Sequence, residues 1–369
     1  MKKVIFAAAA AGLSLSISAC APLEADAKIS VVQDATTCEL SQTEFAAGVV
    51  TFVIENVGDK TSEFYILKSD GEGIVSEIEN IGVGLTRELT VELGEGEYIY
   101  SCEQMDATDE IQGKLTVTAA SADASLSPEA GAAIVAYKAF VVEQSSQLLA
   151  ETKKFAEAVA NKDVQLAKKL YAPTRVFWER IEPVAESFGD LDPKMDAREG
   201  DLDPGVAWTG WHYLEKQLWV TGLSDDSKTV AEQLVADTED LVTRVASIEL
   251  TLSQVSNGAK ELLDEVATGK VTGEEERYSH TDLWDFDANV AGAEMALEVS
   301  RYILKTKDAA LLDDLDSRFA ELNAELGKHR IGEGFKLYTD LSAAEVKSLA
   351  TLVEALSEPL SRMTAALVK

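Results

Sequence analysis

The sequence predicts a multidomain chain in which an all-β sandwich precedes a larger all-α domain. Three observations predict it. Between Lys28 and Thr118, short β-branched and aromatic runs alternate with Gly and Asn at the spacing of a small sandwich. Residues 119–126 then turn to Ala, Ser, Asp and Leu, the composition of a linker. From residue 127 to Lys369 the apolar residues recur with the helical period. At 369 residues the chain is long enough for two domains, each with its own core.

In order along the chain, residues 1–20 form an export signal. Lys2 and Lys3 supply the positive start, and Val4 to Ala11 with Leu13, Leu15 and Ile17 the apolar core. Ser18-Ala19 are the small residues before Cys20. The run Ile17-Ser18-Ala19-Cys20 resembles a bacterial lipobox, which implies lipidation of Cys20 and a lipid anchor to the membrane. Ordinary cleavage at a small residue is the alternative. No segment approaches the length of a membrane-spanning helix. Residues 21–27 make a tether, and the expected strands cover 29–32, 49–56, 63–67, 86–91, 98–102 and 113–117. Ser127-Pro128-Glu129 reads as an N-cap, a proline at the first helical position and an acid in the first turn. Helices are then expected over 132–161, 163–188, 205–221, 228–267, 282–305, 309–328 and 343–368. Pro193, Pro204, Gly222, Gly269, Gly273 and the Gly332/Gly334 pair supply breaks. So many helices make one large bundle or two packed together.

The chain carries 65 acidic and 33 basic residues, a net charge of −32. That field repels nucleic acid and anionic headgroups and concentrates cations; it also serves solubility alone. With Cys20 lipidated, Cys38 and Cys102 remain in an oxidising compartment, as a disulfide or as thiolate ligands.

The 3 histidines are His212, His280 and His329. His212 and Glu215, in Trp211-His212-Tyr213-Leu214-Glu215, are three apart and share one helix face. An imidazole beside a carboxylate suits a first-row metal, and equally a buried histidine bonded to its neighbour. Upstream, Glu179 and Glu182 are also three apart, among Phe177, Ile181 and Val184. Asp196 lies in an acid-rich loop, 190–199, able to reach the His212 helix. Carboxylates among apolar residues are costly unless paired or metal-bound. Arg175, Arg180 and Arg198 are the available partners for a purely structural network.

The His212-x-x-Glu215 pair, Tyr171-Ala172-Pro173-Thr174-Arg175, Glu179-Arg180-Ile181-Glu182-Pro183, Asp196-Ala197-Arg198-Glu199 and Arg277-Tyr278-Ser279-His280-Thr281-Asp282-Leu283 together resemble the imelysin-like domain, over about residues 125–369. With the β-domain in front, the mature chain resembles the EfeO-type family of periplasmic iron-uptake components. The resemblance implies an all-α domain of two packed four-helix bundles, with a metal site at His212 and Glu215, joined by Glu182 and Asp196 and with Glu179 as an alternate. It implies iron, Fe(II) or Fe(III), as the ion bound; a carboxylate-rich site with one imidazole suits such a hard cation. It also implies a membrane iron permease and a haem-peroxidase-like component as partners, and a periplasmic or cell-surface location. The second motif, Ser279 to Asp287, holds His280 with Asp282, Asp285 and Asp287; it reads as a second site or as a helix start with acids in its first turn.

The runs Val49–Gly58 and Tyr98–Cys102 resemble cupredoxins, whose copper sites use two His and a Cys. No histidine precedes residue 212, so an ordinary blue-copper centre cannot be built here. A divergent site would draw on Glu63, Cys102, Met105, Glu103 and Cys38, with copper as a second candidate cofactor. The expected function is therefore an exported iron-binding component that passes iron to a permease. The alternatives are a copper-assisted ferroxidase and an imelysin-like metallopeptidase, the last disfavoured by the absence of His-Glu-x-x-His.

Overall fold

The computed structural model describes residues 26–71, 73–105, 107, 110–120, 127–202 and 205–368. The export signal and Cys20 lie outside the described residues, as does residues 121–126 of the linker.

The first part of the chain is a two-sheet sandwich. Its strands are β1 (Asp26–Gln33), β2 (Cys38–Leu40), β3 (Glu44–Ala46), β4 (Gly48–Asn56), β5 (Ser62–Lys68), β6 (Ile74–Ile81), β7 (Thr86–Leu93), β8 (Gly96–Gln104) and β9 (Ile111–Thr118). One sheet runs β2-β1-β4-β7 and the other β3-β9-β8-β5-β6. Two pairings are parallel, β1 with β4 and β3 with β9. Alternate residues fill the space between the sheets: Val50, Phe52 and Ile54 from β4, Leu89, Val91 and Leu93 from β7, Phe64 and Ile66 from β5, Leu115 and Val117 from β9. Cys38 on β2 and Cys102 on β8 form a disulfide that ties one sheet to the other. Closing a chain segment of 64 residues stabilises the sandwich by ~4 kcal/mol in the chain-entropy account.

Strands β2, β3 and β6 go beyond the sequence expectation. β6 hides its nature because Ser76, Glu77 and Ile78 are buried in succession rather than alternately. One of its faces meets the sandwich core and the other packs against a helix, α6 below. A strand covered on both sides loses the alternation that marks a half-exposed one.

The helices are α1 (Pro128–Ala160), α2 (Val164–Glu179), α3 (Leu191–Asp196), α4 (Gly210–Lys216), α5 (Asp225–Ser247), α6 (Leu252–Thr268), α7 (Asp282–Lys307), α8 (Ala309–Gly327), α9 (Ala343–Leu360) and α10 (Met363–Val368). Ser127 caps α1 by accepting from the N–H of Ala130, with proline at the first turn. Helices α6, α7, α8 and α9 close a four-helix ring. Helix α1 packs on α2 and α5, with α4 against α5, and α7 joins this group to the ring through α1 and α2. A single apolar core runs through both halves.

Several expected runs are divided. The run 228–267 breaks at 248–251, where Thr251 and Gln254 form a capping box that restarts the chain as α6. The run 163–188 ends as α-helix at Glu179 and continues as a tight 3₁₀ segment, Glu182–Phe188, around Pro183, which has no N–H to continue the α ladder. The chain from Arg180 to Pro183 lies against α6 and α7 at two glycines. A Cβ at Gly258 would stand 1.8 Å from the Pro183 carbonyl oxygen, and one at Gly292 would stand 2.5 Å from that of Arg180. Residues 190–199, expected as a loop, contain α3, which ends at Asp196.

The two domains touch through polar contacts as well as packing. Asn257 on α6 donates to Ser76 Oγ and to the Thr90 carbonyl, both at 2.9 Å. The Glu92 N–H reaches Ser253 Oγ at 2.8 Å, and Lys68 reaches the Ser187 carbonyl at 2.9 Å. No helix among the described residues is long and apolar enough to cross a membrane.

Candidate metal centre

Helix α4 is short and begins where only glycine fits. Gly210 has φ +79°, and a Cβ there would stand 2.1 Å from the Met195 carbonyl oxygen. This close approach sets the start of α4 against the end of α3 and so places His212 beside Asp196. A π segment, Gln217–Thr221, follows directly, a geometry frequent near functional sites. Trp211 anchors the helix against Phe155 and Tyr171, with ring centres 5.1 and 6.0 Å away.

His212 is buried, and its two ring nitrogens meet different carboxylates. Nδ1 lies 3.4 Å from Glu215 Oε2. Glu215 is itself held by the main chain, since its Oε1 accepts from the N–H of Tyr278 at 2.8 Å and of Ser279 at 2.6 Å. Nε2 has no hydrogen-bond partner. It faces Asp196 Oδ1 at 3.5 Å and Glu275 Oε1 at 3.6 Å. One donor atom from each of Asp196, His212 and Glu275 falls within 4.8 Å of the others, and so does a second trio, His212, Glu215 and Glu276.

Around this cluster the fold buries more acid than base. Arg175 on α2 is fully buried and pairs with Glu179 and Asp196, with Glu276 at 2.8 Å, Asp285 at 3.4 Å and Glu275 at 3.8 Å. Lys270 pairs with Glu182 at 2.6 Å, Glu179 at 3.4 Å and Glu275 at 4.0 Å. Trp178 donates to Asp196 Oδ2 at 2.8 Å. Burial alone would neutralise such acids, and the outcome differs by site. For Asp196, burial opposes the charge, but Arg175 and His212 outweigh it and hold the carboxyl low. Glu275 is held well below the usual range against burial, by Lys270 and His212. Glu215 is held low against burial by His212 and the Ser279 N–H. By contrast, burial pushes Glu182, Glu276 and Asp285 well up, and Asp282 to about 6. For His212, burial and Arg175 disfavour the proton, yet Glu215, Glu275 and Asp196 prevail and push the ring up to about 9. The three carboxyls facing Nε2 or Nδ1 are thus held low, while burial pushes Glu276, Asp282 and Asp285 up.

The sequence-derived candidates separate accordingly. His212, Glu215 and Asp196 come together. Glu179 and Glu182 do not reach the ring; they share Lys270, and Glu179 also holds Arg175. Sequence reasoning missed Glu275 and Glu276, which precede the recognised Arg277-to-Leu283 motif in the run Glu274-Glu275-Glu276; a triple acid directly before that motif was the available signal. His280 takes φ +58° and engages through its main chain, the N–H to the Glu276 carbonyl and the carbonyl from the Tyr338 N–H. Its neighbouring acids are used elsewhere: Asp282 accepts from the Glu276 N–H, Asp285 faces Arg175 and Asp287 pairs with Arg330. Neither Ser279 nor Thr281 supplies a side-chain cap to α7.

In the β-domain the disulfide corrects one expectation. Cys38 and Cys102 are bonded to each other, so neither sulfur is a thiolate ligand. Glu63 and Glu103 are register partners on β5 and β8, and Glu63 accepts from the Tyr65 hydroxyl at 2.6 Å. Burial, then Glu110 and Glu63, push Glu103 up to about 7. Met105 is 55 % exposed in the turn after β8. Among the described residues this domain brings no three His, Cys, Asp or Glu donor atoms within 4.8 Å. With both cysteine sulfurs bonded, Met105 exposed and no imidazole, the described residues of this domain do not make a copper-ligand set.

Comparison with known proteins agrees with this architecture. The imelysin family model matches residues 133–363, and the cupredoxin-like domain model matches residues 5–117. The chain is 40 % identical over 332 residues to the iron uptake system component EfeO of Escherichia coli (strain K12), covering 88 % of each chain. It is 39 % identical over 362 residues to the iron uptake system component EfeO of Yersinia pestis, covering 96 % of this chain and 95 % of that one.

Proposed function

The chain belongs to the imelysin family, with a cupredoxin-like domain in front, and from that premise we propose that it is the iron-binding component of an iron-uptake system. Iron is captured at Asp196, His212 and Glu275 and passed to a membrane permease. A haem-peroxidase-like component completes the system, and Cys20 anchors the exported chain to the membrane by lipid.

The observation that carries this reading is the environment of the His212 ring. Nε2 is buried without a partner and faces two ionised carboxylates at 3.5 and 3.6 Å. Those distances are long for hydrogen bonds and suit a cation seated among the donors. Nδ1 rests on Glu215, itself fixed by two main-chain N–H groups, which is how metal-bound imidazoles are oriented. Glu215 is thus a positioning residue in the first trio and a candidate carboxylate ligand in the second, beside His212 and Glu276. Among its described residues the β-domain assembles no copper-ligand set, which supports a docking or walling role over a ferroxidase one. A lone imidazole supports cargo binding over zinc peptidase chemistry.

The test is titration of the purified mature chain with Fe(II) under anaerobic conditions and with chelated Fe(III). Glu275→Gln and Asp196→Asn are expected to weaken binding by about ten- to a hundred-fold each, and Glu215→Gln by a similar factor through the ring's orientation. Unchanged affinity in both Glu275→Gln and Asp196→Asn would remove the assignment.

A further inference from the structure

The donors around the His212 ring are shut in. His212 is 1 % exposed and Glu275 4 %, and the Asp196 side chain is 8 % exposed. Nε2 itself is hidden from solvent, so an ion reaches it only after part of the chain moves. The segment 197–202 follows Asp196 directly. It borders the same cavity of about 450 Å³, between the two domains, that Asp196 and Glu275 border. Within it Gly200 takes φ +100°, with open space where a Cβ would stand.

One residue pins that segment to both of its neighbours. Glu199 accepts from Lys216 Nζ through its two carboxylate oxygens, at 2.5 and 2.6 Å, and from the Tyr278 hydroxyl. Its carbonyl accepts from Arg277 Nη1 at 2.7 Å. The Lys216 ammonium also lies 5.6 Å from the centre of the Trp208 ring and 5.7 Å from that of Tyr278, a cation between two aromatic rings. Each partner belongs to a segment that carries a donor of the trio. Lys216 ends α4, four residues after His212, while Arg277 and Tyr278 closely follow Glu275. Glu199 itself follows Asp196 by three residues. A single side chain and its carbonyl therefore tie together the three segments from which Asp196, His212 and Glu275 come. The tie sits at the surface, with the Lys216 side chain 27 % exposed and that of Glu199 44 %. An ion pair within reach of water is weak enough to open.

We propose that Glu199 is a positioning residue that clasps segment 197–202 against α4 and the turn before α7, and that opening of this clasp sets how fast iron enters and leaves the His212 site. The role rests on the reading of that site given above. Glu199 bonds to Lys216, Arg277 and Tyr278 and to no donor of the trio. The clasp closes the chain with or without the ion, so loosening it eases opening equally in both forms. Uptake and release then accelerate by one common factor, and their ratio, the dissociation constant, stays where it was. A merely structural prop behaves differently, because its loss misplaces a ligand and weakens binding. Being ionic and exposed, the clasp also loosens as salt rises.

Two variants of the full mature chain test this from opposite sides of the contact. Glu199→Gln keeps the size and removes the charge, and Lys216→Met removes its partner. Fe(II) under argon is the probe, with uptake followed by stopped flow and release by a chase with excess chelator. Each variant is expected to speed both rates by about five-fold at low salt, the scale of one partly exposed pair, with the dissociation constant unchanged. Combining the two is expected to add little, since the same contact is lost twice. The difference from wild type is expected to fade at high salt. Hydrogen exchange of the 197–201 amides in the metal-free chain reads the clasp without iron, and is expected to quicken in both variants. Unchanged release rates, slower exchange-independent binding in the form of a raised dissociation constant with uptake unaltered, or unchanged hydrogen exchange in this segment would each overturn the proposal. A wild type that holds no iron at His212 would sink the site and this role together. A wild type that binds iron, with variants that exchange it no faster, would sink the clasp alone.

Discussion

Replacing Arg175 by methionine is expected to destabilise the metal-free helical domain by about 5 kcal/mol, the upper range for breaking a buried ion network. The side chain fits the space, so packing is largely kept. The guanidinium, however, is fully buried and bridges Glu179 and Asp196 directly, with Glu276 at 2.8 Å and Asp285 at 3.4 Å. Burial disfavours its charge, yet Asp196, Glu179, Asp285 and Glu276 together raise its affinity for the proton. Without it, Asp196 and Glu179 remain buried with one positive neighbour fewer. Protonation then becomes the cheapest relief, at the expense of the site's ionised form. Urea unfolding of the chelator-treated mature chain measures the loss. Adding Asp196→Asn to Arg175→Met is expected to recover part of it, because the stranded charge goes too. A loss below about 1 kcal/mol would show that the guanidinium does not hold this cluster together.

That network explains what the sequence could and could not disclose. His212 and Glu215 were legible because helix periodicity alone puts residues three apart on one face. Asp196 was legible as an acid near that helix. The device that brings it there, Gly210 at φ +79° against the Met195 carbonyl, is a tertiary contact no local pattern announces. Glu179 and Glu182 became ligand candidates through the resemblance, while their apolar neighbours left metal binding and ion pairing equally open. Their partner, Lys270, lies 91 and 88 residues away. Glu275 suffers the reverse fate, an acid in a polar run that the fold buries beside Arg175, His212 and Lys270. In the sandwich, the β-branched runs marked β1, β4, β5, β7, β8 and β9, and covered β6 escaped. The disulfide stood as an open alternative, since pairing depends on β2 and β8 facing each other across the two sheets.

The pH dependence of the metal-free and iron-loaded chains is expected to run in opposite senses. In the metal-free chain the His212 ring titrates at about 9, above its ordinary 6.5, because Glu215, Glu275 and Asp196 favour the cation. A group whose pKa rises on folding stabilises the fold fully below its unfolded pKa. That contribution, about 3 kcal/mol at 1.36 kcal/mol per pKa unit, is lost as pH climbs from about 6.5 through about 9. Iron takes the place of that proton on Nε2, so binding below pH 9 releases it and apparent affinity climbs with pH. Across the same window the gain is on the order of a hundred-fold, flattening above it. Acids raised by burial, such as Asp192 at about 8 and Glu79 at about 7, add their own loss of stability as pH rises. His212→Gln therefore serves as the reference, keeping those acids and removing the ring. Thermal unfolding of wild type and His212→Gln, with chelator and with Fe(II) under argon, gives the four curves required. The wild type alone is expected to lose stability faster than the variant without metal and to gain more from iron as pH rises. Parallel curves for the two proteins would mean that the ring at position 212 exchanges no proton for the metal, and iron would have to be held elsewhere.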